Sequence, residues 1–472
     1  MQRLEEEIEE PVSPTGQYLN SSSLCVYILG VLESEIPIDD RHTPSLLRHV
    51  FLPINTRFSS IMIKDKDGEK KWKKVEVKLE EHINVPTFPS GKSSKYLYDE
   101  HVDEYMSRIA MEHLAQDRPL WEIHIIKYPT SGAAGTLIFK LHHALGDGYS
   151  LMGALLSCLK RADDSSLPFT LPSTQRPKPI FNKTNKAPLK FKRLPSLFSI
   201  AFRTISEFGW SMLKSSFIED DPTPIRSCAE DIKLRHVTIS NVSFSLDHFK
   251  EIKSKLGVSI NDVIAGLLFF GIRLYMQEMN VESNRTQSTA LVLLNTRNIS
   301  GYKSVKEMVE KSDNNSAWGN QFAFLHVPIP ELSDSKYANP LEFIKDAHKE
   351  ILRKKNSLAT LLTGMLLNMV KKLRGPEAAA RYLHSTLRNS STTISNIIGP
   401  VEQMALVNHP IKGLYFMVLG PPESVTITIM SYMGKLRIAF GLEKDFIEKQ
   451  KFKSCMENSF EMILAAARKI SA

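Results

Sequence analysis

Apolar and polar positions along the first 150 residues form short runs that are typical of β-strands and their connections. An apolar run from Leu24 to Leu32 predicts a strand, and the spacing from Asp99 to Ala115 predicts a helix. Two further strands are predicted from Ile123 to Pro129 and from Thr136 to His143, joined by a turn around Gly132 to Gly135. This part of the chain therefore mixes strands and helices.

The pattern changes where the strand that begins at Thr136 reaches two histidines. Beyond Gly148 the apolar residues recur at helical intervals of three and four: Leu151, Met152, Leu155, Leu156 and Leu159. Residues His143 to Gly148 are thus predicted to form a loop between a strand and a helix. Catalytic side chains are common in such loops because a rigid framework positions them.

Strands and helices alternate again in the second half of the chain. The predicted elements are a strand from Val237 to Phe244, a helix from Asn261 to Met276, a strand from Ala290 to Leu294, helices between Pro340 and Leu373, and strands from Ser424 to Ser431 and from Leu436 to Phe440. The fold class expected from this order is α/β with mixed sheets.

A segment rich in proline and lysine separates the two halves. Such composition is typical of an exposed connection. We therefore predict an N-terminal domain over residues 1–165, a linker over 166–225 and a C-terminal domain over 226–472. Two large domains also suit a chain of 472 residues.

Composition excludes several classes of protein. With 42% hydrophobic and 24% charged residues, the chain can bury large cores and is not disordered. Four scattered cysteines with no C-x-x-C pair indicate neither a zinc cluster nor a disulfide framework. A formal net charge of +8 favours anionic partners, among them nucleic acid, anionic lipid and the phosphates of coenzyme A, without choosing between them.

No targeting or membrane-spanning segment is expected. The stretch from Met1 to Glu10 is rich in glutamate and has no apolar core of the kind a signal peptide needs. The most apolar run, Val263 to Met276, falls short of the roughly 20 residues that cross a bilayer and contains Arg273. It is predicted to be a buried core helix.

The candidate chemistry lies in His142-His143-Ala144-Leu145-Gly146-Asp147-Gly148. Strand alternation places His142 and His143 on opposite faces. A neutral imidazole suits the removal of a proton from an alcohol at neutral pH as the alcohol attacks a thioester. The thiolate leaves readily, so neither a metal nor an acyl-enzyme is required. We predict His143 as the general base, with Asp147 placed to cap the following helix or to pair with an arginine such as Arg297.

Other sites fit the residues less well. A metal site would need a further carboxylate or histidine cluster, and H-E-x-x-H is absent. A serine hydrolase would need G-x-S-x-G, whereas Ser150 follows Gly148 without the second glycine. Phosphate loops and dinucleotide fingerprints are also absent. No cofactor is expected, and a purely structural histidine pair remains the alternative.

Four blocks together resemble the wax ester synthase/diacylglycerol acyltransferase family, in particular its plant branch. The first is the HHxxxDG motif at His142 to Gly148, preceded by Asp117-Arg118-Pro119-Leu120-Trp121-Glu122. The others are Ser259-Ile260-Asn261-Asp262-Val263 and Ser395-Asn396-Ile397-Ile398-Gly399-Pro400. In order and spacing these blocks cover nearly the whole chain.

The resemblance implies two chloramphenicol acetyltransferase-like domains related by pseudo-symmetry, with a substrate tunnel between them. It also implies fatty acyl-CoA as co-substrate and a fatty alcohol or diacylglycerol as acceptor, giving wax ester or triacylglycerol. Under the same resemblance His143 matches the catalytic base, with His142 behind it, Asp147 supports the loop, and Gly148 leaves room at the tunnel.

Roles for the remaining blocks stay open. Asn261 and Asp262 are candidates for substrate binding or for capping the helix that follows. Ser395 and Asn396 are candidates for donating hydrogen bonds to an oxyanion or to coenzyme A, or for satisfying a turn. Leu120 and Trp121 are expected in the core.

Two other functions compete with this one. An acyltransferase of the plant BAHD type, acting on phenolic or other specialised alcohols, shares HxxxD, but its DFGWG loop is missing here. A non-catalytic lipid-binding membrane protein would not require an intact HHxxxDG.

Leu194 to Leu213 is predicted to be an amphipathic helix that binds a membrane surface peripherally. Its apolar residues recur at intervals of three and four: Leu194, Leu197, Phe198, Ala201, Ile205, Phe208 and Met212. Basic residues precede it: Lys183, Lys186, Lys190, Lys192 and Arg193. These features suit anionic headgroups. The expected location is the cytoplasmic face of the endoplasmic reticulum, with the plasma membrane as a second, and no nucleic-acid partner is expected.

Overall fold

The computed structural model describes residues 10–66, 70–89, 95–170, 194–227, 236–296, 318–355 and 359–470. The strands are β1 Glu10–Pro11, β2 Tyr27–Ser34, β3 Ser60–Lys64, β4 Lys70–Lys74, β5 Ile83–Asn84, β6 Trp121–Ile126, β7 Gly135–His142, β8 Lys160–Arg161, β9 Val237–Ser245, β10 Thr289–Asn295, β11 Phe322–Pro328, β12 Thr392–Ile398, β13 Met404–Leu406, β14 His409–Leu419, β15 Val425–Tyr432 and β16 Lys435–Glu443. The α-helices longer than five residues are α1 Pro14–Leu19, α2 Lys95–Met111, α3 Gly148–Ser157, α4 Leu194–Ser216, α5 Leu246–Leu256, α6 Ile260–Met279, α7 Leu341–Lys355, α8 Ala359–Arg374, α9 Pro376–Arg388 and α10 Lys449–Arg468.

The first large sheet has the order β5-β6-β7-β2-β14-β13-β8. Every residue of β6 and β7 is buried, as expected for central strands covered on both faces. β14 comes from far along the chain and pairs antiparallel with β2, so that Tyr27 lies between His142 on one side and Leu419 on the other. Residues from the second half of the chain therefore lie two strands away from the histidine pair.

The second large sheet has the order β11-β10-β12-β15-β16-β9. β12 pairs parallel with β10 and β15, whereas the other neighbours pair antiparallel. Helix α6 packs against α7 and α10 and supplies much of this core. Its approach to α7 is close enough that a side chain on Gly266 would lie 2.6 Å from the Cα of Ile344.

A small third sheet, β1-β4-β3, flanks the first half. Its middle strand reads Lys70-Lys71-Trp72-Lys73-Lys74, in which Trp72 is buried and the four lysines are partly or fully exposed.

Most sequence predictions are confirmed, with shifts of a few residues. The strand predicted from Leu24 begins at Tyr27, and the helix predicted from Asp99 begins at Lys95. The run from Val263 to Met276 is buried inside α6, as expected of a core helix. The division into two domains at residues 166–225 remains a prediction. Strands β13 and β14 follow this segment in the chain but belong to the first sheet.

Among the described residues, no single helix has the length and hydropathy to cross a membrane. Helices α5 and α6 meet that criterion only as a pair, and the chain bends by 101° between them.

Candidate active site

The two histidines lie where β7 ends and the loop to α3 begins. Asp147 has an extended backbone and caps α3, because its Oδ1 accepts a hydrogen bond from the Ser150 backbone N at 3.1 Å. The predicted order of strand, histidine loop, aspartate cap and helix is confirmed.

The imidazole of His143 is held by the side chain of Asn320 from two directions. The Asn320 Nδ2 donates to the His143 carbonyl oxygen at 2.9 Å, which turns Oδ1 of the same amide towards the ring. That Oδ1 lies 2.8 Å from His143 Nδ1. Because an amide oxygen only accepts, Nδ1 carries the proton, and Nε2 is left with its lone pair.

The environment of His143 favours the neutral ring. The residue is 6% exposed, and burial lowers its pKa below the usual value, although Asp147 and Asn320 favour the charged form. A neutral ring at neutral pH whose Nε2 is unprotonated is the form that a general base requires.

His142 has a different environment and a structural role. It is fully buried, and burial together with the nearby His143, Lys70 and His113 lowers its pKa to about 3. Its Nδ1 accepts a hydrogen bond from the Ala144 backbone N at 3.0 Å, and its Nε2 lies 3.5 Å from the Cys25 sulfur. The ring therefore stays neutral and fixes the turn behind His143.

The segment Trp318 to Gln321 fastens this loop to the second half of the chain. Trp318 Nε1 donates to the Leu145 carbonyl at 2.8 Å, and the Gly319 backbone N donates to Ser150 Oγ at 3.0 Å. The Gln321 backbone N donates to the second oxygen of Asp147 at 2.9 Å. Sequence reasoning missed this segment, and its only signal was a tryptophan followed by glycine and two amides.

Asp147→Asn is expected to lower the melting temperature at least as clearly as it lowers activity. Both carboxylate oxygens accept from backbone N–H groups, those of Ser150 and Gln321, and an amide can satisfy only one of them. Leaving one buried donor unpaired costs about 1–3 kcal/mol of the free energy of unfolding. The melting temperature should be measured by calorimetry on the same preparation as the initial rates. An unchanged melting temperature with lost activity would instead give this carboxylate a chemical role.

An apolar cavity of about 120 Å³ opens beside His143. Both halves of the chain line it, with Val26, Tyr149, Phe322 and Phe416 among the side chains. A cavity that both halves line therefore lies at the histidine, where the tunnel is expected.

Gly148 lies where this cavity meets a second apolar pocket, which lies between the first sheet and α3. A Cβ at this position would be 2.4 Å from Cδ1 of Ile397, which itself lines both spaces. The absence of a side chain on Gly148 therefore makes room for Ile397 at this junction, and the expected role of Gly148 in leaving room at the tunnel stays a prediction.

The other predicted residues divide into two groups. Ser395 and Asn396 lie in β12 and line the cavity, so they do not form the turn considered as an alternative. Asp262 forms a capping box with Ser259 and therefore has the helix-capping role of the two considered. Its Oδ2 also lies 2.8 Å from His348 Nδ1. Asn261 accepts a hydrogen bond from Asn396 at 3.0 Å.

Two further predictions remain. Leu120 and Trp121 are buried in the first core, as expected. Arg297, the candidate partner of Asp147, lies outside the described residues. Within the described ranges no group of three or more His, Cys, Asp or Glu side chains is arranged to hold a metal ion.

Comparison with known proteins agrees with this geometry. The model of the wax ester synthase/diacylglycerol acyltransferase catalytic domain matches residues 68–264, and that of the WS/DGAT C-terminal domain matches residues 318–464. Wax ester synthase/diacylglycerol acyltransferase 4 of Arabidopsis thaliana is 27% identical over 98% of this chain and 92% of its own length. Number 11 of the same series is 28% identical over 97% and 95%.

Solved structures share the fold at low sequence identity. The wax ester synthase/diacylglycerol acyltransferase from Marinobacter aquaeolei VT8 superposes with a TM-score of 0.59 at 15% identity, covering 97% of this chain and all of that one. The starter condensation domain of rhizomide synthetase RzmA superposes with a TM-score of 0.54 at 10% identity, over 98% and 95%. The matches do not favour a BAHD enzyme or a non-catalytic lipid-binding protein, and this chain belongs to the wax ester synthase/diacylglycerol acyltransferase family.

Proposed function

We propose that His143 is the general base of a direct acyl transfer from fatty acyl-CoA to a long-chain alcohol or diacylglycerol. The observation that carries this assignment is the pair of hydrogen bonds between Asn320 and His143, which keeps the ring proton on Nδ1 and leaves Nε2 unprotonated beside an apolar cavity. An apolar cavity suits long-chain substrates, whose hydrocarbon chains are poorly soluble in water.

The reaction then balances without a covalent acyl-enzyme. Nε2 takes the hydroxyl proton while the alcohol oxygen attacks the thioester carbonyl carbon. As the tetrahedral intermediate collapses, the C–S bond breaks, and the thiolate of coenzyme A accepts the proton from the imidazolium. Ser395, on the cavity wall, is a candidate donor to the oxyanion, since no described group occupies its hydroxyl.

We expect the purified protein to form ester when it is supplied with palmitoyl-CoA and hexadecanol or diacylglycerol. Free coenzyme A should appear in an amount equal to the ester, and double-reciprocal plots should intersect, as for a ternary complex. A phenolic acceptor provides the comparison for BAHD chemistry. Parallel lines, or protein that carries a palmitoyl group after treatment with palmitoyl-CoA alone, would contradict direct transfer.

The described part of helix α4 supports membrane binding because its polar side faces the protein. Glu207 is buried and pairs with Lys354 at 2.7 Å and with Arg353 at 3.0 Å, and the buried Lys214 pairs with Asp220 at 2.5 Å. Its outer side is apolar, with Ile205 70% exposed. Among the residues predicted for the apolar stripe, Phe208 and Met212 are half-buried, and the side chains from Leu194 to Ala201 lie outside those described.

Helix α8 packs beside α4 and extends the same apolar surface. Three of its side chains are exposed, Met365, Met369 and Leu373, and its last turn carries Lys371, Lys372 and Arg374. Exposed apolar side chains beside basic ones are the arrangement expected at a bilayer interface. We place the enzyme on the cytoplasmic face of the endoplasmic reticulum, with the plasma membrane as a second location, because its acceptors reside in bilayers.

Replacing Ile205 and Leu213 together with glutamate is expected to abolish flotation with liposomes that contain anionic lipid. The change puts two charges on the outer face of α4 and leaves the buried ion pairs intact. Val281→Glu is the matched control, since Val281 is 69% exposed but lies after α6. If the double variant floats as well as the control, α4 does not bind the membrane.

A further inference from the structure

The second apolar pocket, between the first sheet and α3, has a volume of about 40 Å³. Strands β2, β7 and β14 form one wall and α3 forms the other. Among the described residues that line it, none carries a charged side chain. Its volume exceeds the roughly 10–15 Å³ that admits one water molecule, and an apolar space of this kind binds hydrocarbon rather than water. The chemistry of the second pocket therefore suits an alkyl chain.

The floor of the second pocket contains a glycine in a central strand. Gly30 lies in the middle of β2, and its partners on the neighbouring strands, Phe139 and Phe416, line the pocket with it. Its backbone is ordinary strand without a positive φ, so the conformation does not require glycine. A glycine also weakens a central strand, because it has no side chain to pack. The reason for a glycine here must therefore lie in the space above it.

Neighbouring aromatic rings do not fill the space above Gly30. Among the described residues, the atoms within 4 Å of a Cβ built at this position are Cβ and the carbonyl oxygen of Phe139, at 3.9 and 4.0 Å. This excludes the ordinary structural explanation, in which an aromatic ring packs over a strand glycine. Since protein interiors are closely packed, a strand glycine with room above it is typical of a place that a ligand approaches.

Ile397 lies between the second pocket and the cavity at His143. It lines both spaces, and its Cδ1 would be 2.4 Å from a Cβ on Gly148. Although its strand β12 belongs to the second sheet, its side chain packs in the first core. Cδ1 moves when the side chain turns about its Cβ–Cγ1 bond, a rotation between staggered positions that leaves the backbone in place. Ile397 is thus placed to control whether an alkyl chain passes from one space to the other.

We propose that the second pocket binds the far end of a substrate's hydrocarbon chain, with Ile397 at its entrance and Gly30 at its floor setting the length of chain that fits. The proposal rests on the proposed function in taking long-chain substrates whose reacting ends lie at His143. The acyl chain of acyl-CoA and the alkyl chain of the alcohol have the same chemistry, and the experiment separates these two sources.

Gly30→Val is the direct test, because its side chain would fill the floor of the second pocket and valine suits a central strand. Two chain-length ratios are measured, each at a saturating concentration of the other substrate. The first is kcat/KM for palmitoyl-CoA divided by that for octanoyl-CoA, and the second is kcat/KM for hexadecanol divided by that for octanol. Each methylene that loses its burial costs about fourfold. One ratio should therefore fall by about 10-fold, and the ratio that falls identifies the chain.

Val31→Leu is the matched control for Gly30→Val. It enlarges the next side chain of the same strand, which points to the opposite face of the sheet and does not line the second pocket. This variant should leave both ratios as they are in the wild type. Thermal melts of both variants establish that they are folded.

Ile397→Ala tests the entrance. Removing this side chain should raise the same ratio that Gly30→Val lowers, and in the variant with both changes the increase should disappear, because the pocket behind the entrance is filled. The single Ile397→Ala change adds no side chain to the core, so it also decides the proposal if Gly30→Val does not fold. Unchanged ratios in the folded Ile397→Ala protein contradict the proposal.

Two further results would overturn the proposal. One is a folded Gly30→Val protein in which neither ratio changes, or in which both fall equally. The other is a full increase from Ile397→Ala when Gly30→Val is also present. Equilibrium dialysis with labelled octanol and hexadecanol, and with the S-octyl and S-hexadecyl thioethers of coenzyme A, gives the same ratios as affinities without turnover. A wild-type protein that binds the longer chain through Gly30 but forms no ester would refute the proposed function and leave this inference intact.

Discussion

His143→Ala is expected to reduce kcat by about 10²–10⁴-fold, the usual contribution of a positioned general base, while the protein stays folded. The substitution removes Nε2, the atom that we propose accepts the proton of the alcohol hydroxyl. It leaves the cavity and the helix cap at Asp147 in place. Ester formation from palmitoyl-CoA and hexadecanol at saturating concentrations measures the effect, with a thermal melt to establish folding.

His142→Ala is the comparison for that variant. His142 is buried and makes a hydrogen bond to the Ala144 backbone but does not line the cavity, so its loss should reduce stability more than chemistry. A His143→Ala protein that keeps more than about a tenth of wild-type activity would show that another group removes the proton.

Asn320→Ala is expected to lower kcat by about 10²-fold, because the imidazole loses the partner that sets its tautomer and its orientation. Asn320→Asp tests the same contact differently. A carboxylate beside Nδ1 favours the imidazolium, raises the pKa of His143 and should move the acid limb of the pH–rate profile to higher pH.

Trp318→Phe is the control for the role of Asn320. It removes one hydrogen bond between the same segment and the Leu145 carbonyl but leaves the His143 contact intact. It should affect melting without moving the pH profile. If Asn320→Asp leaves the profile where it is in the wild type, the amide does not act on His143.

The local part of the site could be predicted from the sequence. His143 and Asp147 are four residues apart, and the strand before them and the helix after them each have a clear period. Asn320 could not be predicted, because it lies 177 positions from His143 in a segment without a periodic pattern. The insertion of β14 beside β2 depends on a still more remote pairing, in which Tyr27 lies opposite Leu419.

Helix α4 shows a different limit of sequence reasoning. Its apolar spacing predicted an amphipathic helix, but a stripe of that kind packs on a core as readily as it faces a bilayer. The outward orientation of its apolar side follows from ion pairs such as the one between Glu207 and Lys354, which lie 147 positions apart. No pattern within the helix contains that information.

The pH dependence of kcat/KM for hexadecanol, at saturating palmitoyl-CoA, tests the central claim most directly. Since burial lowers the pKa of His143 and the neutral ring is the active form, activity should be full at neutral pH and fall through a single ionisation below 6.5. Folding must be monitored at each pH by circular dichroism. The pKa of His142 is about 3 in the folded protein and 6.5 in the unfolded chain, so the unfolded chain binds a proton more readily and the folded protein loses stability as the pH falls below 6.5. A profile that stays flat while the protein remains folded, or that loses activity through an ionisation well above 6.5, would contradict the assignment of His143 as the base.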